Sequence, residues 1–97
     1  MDNVIQPNEE RFFEYHYWES PESSDAELWY RSHQKVTVLN CENLDEYGDM
    51  TLEERYEGGT PLAYRVRFAD GFEGTAMEDE LMNDKSDFCR PDPPQRP

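Results

Sequence analysis

Tyr64-Arg65-Val66-Arg67-Phe68-Ala69-Asp70-Gly71-Phe72-Glu73-Gly74-Thr75-Ala76 is the stretch whose reading decides the fold of this 97-residue chain. It has the form of a β-hairpin, and side-chain alternation fixes its register. A two-residue loop at Asp70-Gly71 sets Phe68 against Glu73 and Val66 against Thr75, mixing apolar and charged groups on one face. A three-residue loop, Ala69-Asp70-Gly71, with Gly71 in the left-handed conformation, behaves differently. It pairs Phe68 with Phe72, Val66 with Gly74 and Tyr64 with Ala76 on one face. Arg67 then lies opposite Glu73, and Arg65 opposite Thr75, on the other. Only this register separates the faces, and Arg67 opposite Glu73 is a favourable cross-strand pair. The three-residue loop is therefore expected.

Composition bounds the rest. Ninety-seven residues make one small domain, of a size that buries roughly 60–65% of its unfolded surface. With 35% hydrophobic and 13% aromatic residues, the chain can build one modest core. The net charge of −14, from 23 acids against 9 bases, disfavours nucleic acid and anionic membranes, whose binding needs Lys and Arg. It favours a basic partner, high solubility or a cation. No apolar run is long enough to span a bilayer, and the Met1-Asp2-Asn3-Val4 start lacks a basic region followed by an apolar one. A cytoplasmic protein is expected. Cys41 and Cys89 have no close-spaced partner and read as two free thiols, with a single disulfide as the alternative.

Residues 1–11 are polar and expected to be flexible. In Phe12-Phe13-Glu14-Tyr15-His16-Tyr17-Trp18, Phe13, Tyr15 and Tyr17 alternate with Phe12, Glu14, His16 and Trp18, which predicts a strand. Ser24-Asp25-Ala26-Glu27 has capping-box form ahead of Leu28 and Trp29 and predicts a helical turn. Gln34-Lys35-Val36-Thr37-Val38-Leu39 predicts a core strand with Val36 and Val38 inward, ended by Cys41 as a small buried hydrophobe. Residues 43–59 form an acidic insert, with Asp45, Glu46, Asp49, Glu53, Glu54 and Glu57 against one base, Arg55. Thr51 and Glu54 are a second capping-box match and Gly58-Gly59 a helix stop, so the insert is a long connection with one helical turn. Glu78-Asp79-Glu80-Leu81 predicts a tight turn that tucks Leu81 into the core. Residues 83–97 read as a charged, Pro-rich tail.

The strand Lys35-Val36-Thr37-Val38-Leu39, the hairpin from Tyr64 to Gly71 and the turn Glu78-Asp79-Glu80-Leu81 together resemble a small SH3-like barrel of Tudor or KOW type. The resemblance covers roughly residues 28–82 and implies a mainly β fold: a small barrel or strongly bent antiparallel sheet with one or two short helical turns. One SH3-like domain is expected over residues 12–82, taking in the aromatic strand that precedes the resemblance. Tudor-type domains hold methylated Lys or Arg in an aromatic cage, for which Trp29, Tyr30, Tyr47 and Phe72 are the available rings. KOW-type domains bind RNA or ribosomal partners through basic loops, which this chain lacks. The resemblance therefore carries the fold and stops short of function.

Chemical motifs are sparse. Asn43, Asp45, Gly48 and Glu54 fall on positions one, three, six and twelve of an EF-hand loop, but Tyr47 occupies a ligand position and a strand precedes the loop, so the spacing is incidental. His16, His33, Cys41 and Cys89 lack zinc-ligand spacing. No local motif pairs Cys41 with His33 or His16 as nucleophile and base, and Arg31, Arg65 and Arg67 read as bases paired with neighbouring acids. No catalytic residue, metal or cofactor is expected.

What remains is a non-enzymatic interaction module that docks acids on a basic protein surface. Its sharpest form is a DNA mimic inhibiting a nuclease, a CRISPR effector or a DNA-binding regulator, as expected of an anti-CRISPR or anti-restriction protein of a phage or mobile element. The expected contacts are Asp45, Glu46, Asp49, Glu53, Glu54, Glu57, Glu78, Asp79 and Glu80, with Trp18, Trp29, Tyr30 and Tyr47 as the aromatic core of the interface. The alternatives are acidity serving solubility alone, and a reader of a peptide or modified side chain through a cleft of Trp29, Tyr30 and Tyr64.

Overall fold

Residues 4–16, 26–89 and 91–92 are described by the computed structural model. In chain order they form β1 (Glu10–Phe13), α1 (Ala26–Tyr30), β2 (Lys35–Cys41), α2 (Leu44–Tyr47), α3 (Leu52–Gly58), β3 (Ala63–Phe68), β4 (Glu73–Met77) and β5 (Leu81–Met82). A 3-10 turn, Glu78–Glu80, links β4 to β5, and a second, Lys85–Asp87, follows. The strands are antiparallel in the order β4-β3-β2-β1-β5 and curl into a half-barrel. The fold is mainly β and compatible with an SH3-like barrel.

The β3–β4 hairpin has the expected register, with Tyr64 opposite Ala76, Val66 opposite Gly74 and Arg67 opposite Glu73. The Phe68 N–H donates to the Phe72 carbonyl at 2.8 Å, and the Gly71 N–H to the Phe68 carbonyl at 3.0 Å. Gly71 has φ +93°, a conformation that favours glycine. Tyr64, Val66, Phe68 and Ala76 are buried, whereas Arg67 and Glu73 are exposed. One detail differs from expectation. The Glu73 ion pair runs diagonally to Arg65 at 3.4 Å, because a long arginine on a twisted sheet reaches the diagonal neighbour.

Around the hairpin, Phe13, Tyr15, Val36, Val38, Leu62 and Leu81 complete the core. The aromatic strand is shorter and earlier than residues 12–18. Residues 4–11, expected to be flexible, already engage the sheet. The Ile5 N–H donates to the Tyr64 hydroxyl at 3.0 Å, the Asn8 N–H to Val38 O at 2.7 Å, and the Val38 N–H to Glu9 O at 2.8 Å. Beyond Phe13 the strand partners change: the Glu14 N–H donates to Glu80 O and the Tyr15 N–H to the Ser32 hydroxyl. Phe13 and Tyr15 are in the core as expected, but Glu14 between them is buried as well, so both faces are covered here. Tyr17, Trp18, Ser24 and Asp25 lie outside the described residues.

The insert holds two helices where one turn was expected. Thr51 and Glu54 form the capping box of α3, each side chain accepting the other's backbone N–H, at 3.2 and 2.9 Å. Gly59 ends the helix in the left-handed conformation, φ +66°. Asn43 is structural: its Oδ1 accepts the Ala63 N–H and its Nδ2 donates to Pro61 O. As expected, the turn after β4 carries Leu81 into the core.

Candidate functional site

Asp45, Glu46, Asp49, Glu53, Glu54 and Glu57 are all exposed along α2 and α3. Arg55, the one base of this segment, points the other way and is 1% exposed. Its Nε donates to Glu78 Oε2 at 3.0 Å and its Nη1 to Met50 O at 2.6 Å. The buried guanidinium is thus committed to the interior, and the outward acids keep their charge. Glu54 is held below the usual carboxylate range, chiefly by the Thr51 N–H.

The acids after β4 behave differently. Glu78 is the inward partner of Arg55 and also accepts the Leu62 N–H. Glu80 is 1% exposed, its two oxygens accepting the Met77 N–H at 2.8 Å and the His16 N–H at 2.9 Å. Burial pushes its carboxyl up, against the pull of those two bonds. Asp79 is half-buried. Of these three, Glu78 and Glu80 face inward, so the exposed acids of the expected contact set are those of residues 45–57.

Trp29, Tyr30 and Tyr47 are half-buried, and Trp29 and Tyr47 pack on the core. Tyr64 is fully buried, which leaves no ring face for a cleft with Trp29 and Tyr30. Trp18 lies outside the described residues. The aromatic group not anticipated is Tyr56, 61% exposed on α3 between Glu53 and Glu57. It borders a groove of mixed lining, in which Val4, Ile5, Leu52 and Leu81 alternate with Glu9, Arg11, Glu78 and Asn83. The local text Leu-Glu-Glu-Arg-Tyr-Glu-Gly carries only part of the signal: Tyr56 shares a helix stripe with Leu52, four residues earlier, and sits at the edge of the face that Arg55 buries, so periodicity alone does not expose it.

A second cluster lies where β1 ends. Glu14 is wholly buried. Its Oε2 contacts His33 Nε2 at 2.6 Å, and its Oε1 contacts His16 Nε2 at 3.1 Å and accepts the Cys89 N–H at 2.9 Å. His16 Nδ1 faces Asp79 Oδ2 at 3.5 Å. His33 Nδ1 faces Asp92 Oδ1 at 2.7 Å, so both its contacts are hydrogen bonds only when both nitrogens carry a proton. The His33 ring stacks on Phe88 at 3.9 Å, and its backbone has φ +74°, a sparsely populated conformation that concentrates at functional positions. Within the segment read as a charged, Pro-rich tail, Phe88 packs edge-on against Phe12 of β1, the Cys89 N–H reaches Glu14 at the end of that strand, and Asp92 reaches His33. Cys41, by contrast, ends β2 against the core, and burial pushes its thiol up.

The chain matches no protein-family model, no curated protein and no solved structure. Its class is therefore defined by its own topology, a small mainly β half-barrel with an acidic two-helix insert. Among the described residues no helix is long and apolar enough to cross a membrane.

Proposed function

We propose that this is a non-catalytic module that binds a basic protein surface through the acidic face of α2 and α3, with Tyr56 as its apolar anchor. One observation carries the reading: the insert's six acids face solvent while its one base is buried. An exposed aromatic ring among them supplies what a charged surface alone lacks, area to desolvate at the centre of an interface. The favoured form is a nucleic-acid mimic, whose carboxylates occupy phosphate sites on a nuclease, a CRISPR effector or a DNA-binding regulator. The two free cysteines suit a reducing compartment, and the cytoplasm is the proposed location. A Tudor-like reader has less support, since Tyr64 is in the core.

The test is capture of partners by the full chain and by a Glu53→Lys/Glu57→Lys variant. Glu54 is spared because it caps α3. The wild type is expected to retain a basic nucleic-acid-binding protein at low salt, to release it as salt rises, and to yield it to competing duplex DNA. The variant, unchanged in circular dichroism, is expected to lose it. Equal retention by both proteins would sink the proposal.

A further inference from the structure

We infer that Glu14, His16 and Cys89 form a binding site for a divalent transition-metal ion of the zinc type. One ligand atom from each of the three lies within 4.8 Å of the others. Zinc bonds of about 2.0–2.3 Å, arranged tetrahedrally, put nitrogen and oxygen ligands about 3.4 Å apart. Glu14 Oε1 and His16 Nε2, at 3.1 Å, are already near that spacing, and a rotation of the exposed Cys89 side chain brings the sulfur in.

The donor set selects the ion. Imidazole and thiolate suit Zn2+ and its neighbours, whereas Ca2+ and Mg2+ call for oxygen. Two of the three donors carry negative charge when bound, and the thiol gives up its proton to solvent. A solvent molecule on the Cys89 side completes the coordination. Asp79, beside His16, has an oxygen with no hydrogen-bond partner among the described residues, so the surroundings have negative charge to spare for a dication.

Independent support comes from the groups behind the ligands. With Nε2 on the ion, His16 turns Nδ1 toward Asp79, the carboxylate backing usual for a metal-bound histidine. Glu14 keeps its second oxygen on His33, which is fixed by Asp92 and by stacking on Phe88. Two of the ligands are thus oriented from behind before any ion arrives. The spacing of His and Cys along the chain hides this, because the site closes only when residue 89 returns to residue 14. A bound ion would pin the C-terminal segment to the end of β1.

The test titrates the full-length, metal-free protein with Co2+ and then Zn2+, beside Cys89→Ser, His16→Asn and Cys41→Ser variants. One equivalent of Co2+ is expected to give a thiolate-to-cobalt charge-transfer band in the near ultraviolet, which Zn2+ abolishes. Cys89→Ser should lose the band and about tenfold or more in Zn2+ affinity, and His16→Asn should lose similar affinity. Cys41→Ser should behave as wild type. Zn2+ should also raise Tm in the wild type, and by clearly less in Cys89→Ser at the same concentration. The exposed Cys89 makes its serine variant safe for folding, so a null result is informative. Co2+ binding without the band, or equal Zn2+ affinity in wild type and Cys89→Ser, overturns the site.

Discussion

Gly71 and Arg55 show how single residues constrain this fold from opposite directions. At Gly71 the constraint is conformational: φ is +93° and no atom crowds the space a Cβ would enter. Gly71→Ala therefore costs backbone strain alone, about 1 kcal/mol. Gly58, inside α3 with only the Thr60 hydroxyl near, at 3.5 Å, is the contrasting case. Gly58→Ala should stabilise by about 0.5 kcal/mol, because it removes unfolded-state freedom without strain. Urea unfolding of the two variants checks the pair, and equal signs would refute the assignment of the loop. At Arg55 the constraint is electrostatic. Its side chain is 0% exposed and that of Glu78 8%, so removing one partner strands a charge. Arg55→Ala should cost about 3 kcal/mol, whereas Arg55→Met combined with Glu78→Gln should recover part of that loss. A double variant as unstable as the single one would mean that the ion pair is not the source of the penalty.

Among the elements, α3 has the clearest local cause. Thr51→Ala removes the hydroxyl that accepts the Glu54 N–H and should cost about 1 kcal/mol. The Glu54 carboxyl is depressed by the Thr51 N–H, so its contribution is present above the ordinary carboxylate pKa and lost as pH falls through the lowered folded value. Glu54→Gln should consequently be less stable than wild type at neutral pH and converge with it in acid. Thermal melts across that range read the difference, and a gap that persists in acid would contradict the capping role. This helix and the β3–β4 hairpin were legible in the sequence because their determinants sit a few residues apart: Thr51 with Glu54, Phe68 with Phe72. The aromatic strand was legible in the inward Phe13 and Tyr15 but not in its ends, which depend on Ser32 and Glu80 far along the chain. Glu14 and His16 were visible as neighbours on one strand face. Cys89 was not, since its N–H meets Glu14 across 75 residues and no local pattern encodes that return. Nor does charge alone separate Glu53, which faces water, from Glu80, which closes the core.

For the whole molecule the decisive quantity is a net charge of −14 on 97 residues. Like charges repel in the compact state, which costs stability at low ionic strength. Salt screens that repulsion, with a Debye length of about 8 Å at 0.15 M. It also weakens favourable surface pairs such as Arg31–Asp70 and Arg65–Glu73, where Asp70 is 59% exposed and Arg65 42%. Exposed pairs of this kind contribute about 0–1 kcal/mol each, and the acids outnumber the bases by more than two to one, so the relief of repulsion wins. Tm should rise by several degrees between about 10 mM and 0.15 M NaCl, given that about 1 kcal/mol moves a domain of this size by roughly 4–8 °C. The Glu53→Lys/Glu57→Lys variant, with less charge to screen, should show a smaller rise. Partner binding through the acidic face has the opposite sign, because the same screening removes unlike-charge attraction. One salt titration therefore separates the two roles of the acids, with stability increasing while affinity falls. If affinity is indifferent to salt over the range in which Tm climbs, the acids of α2 and α3 serve solubility and the basic-surface reading fails.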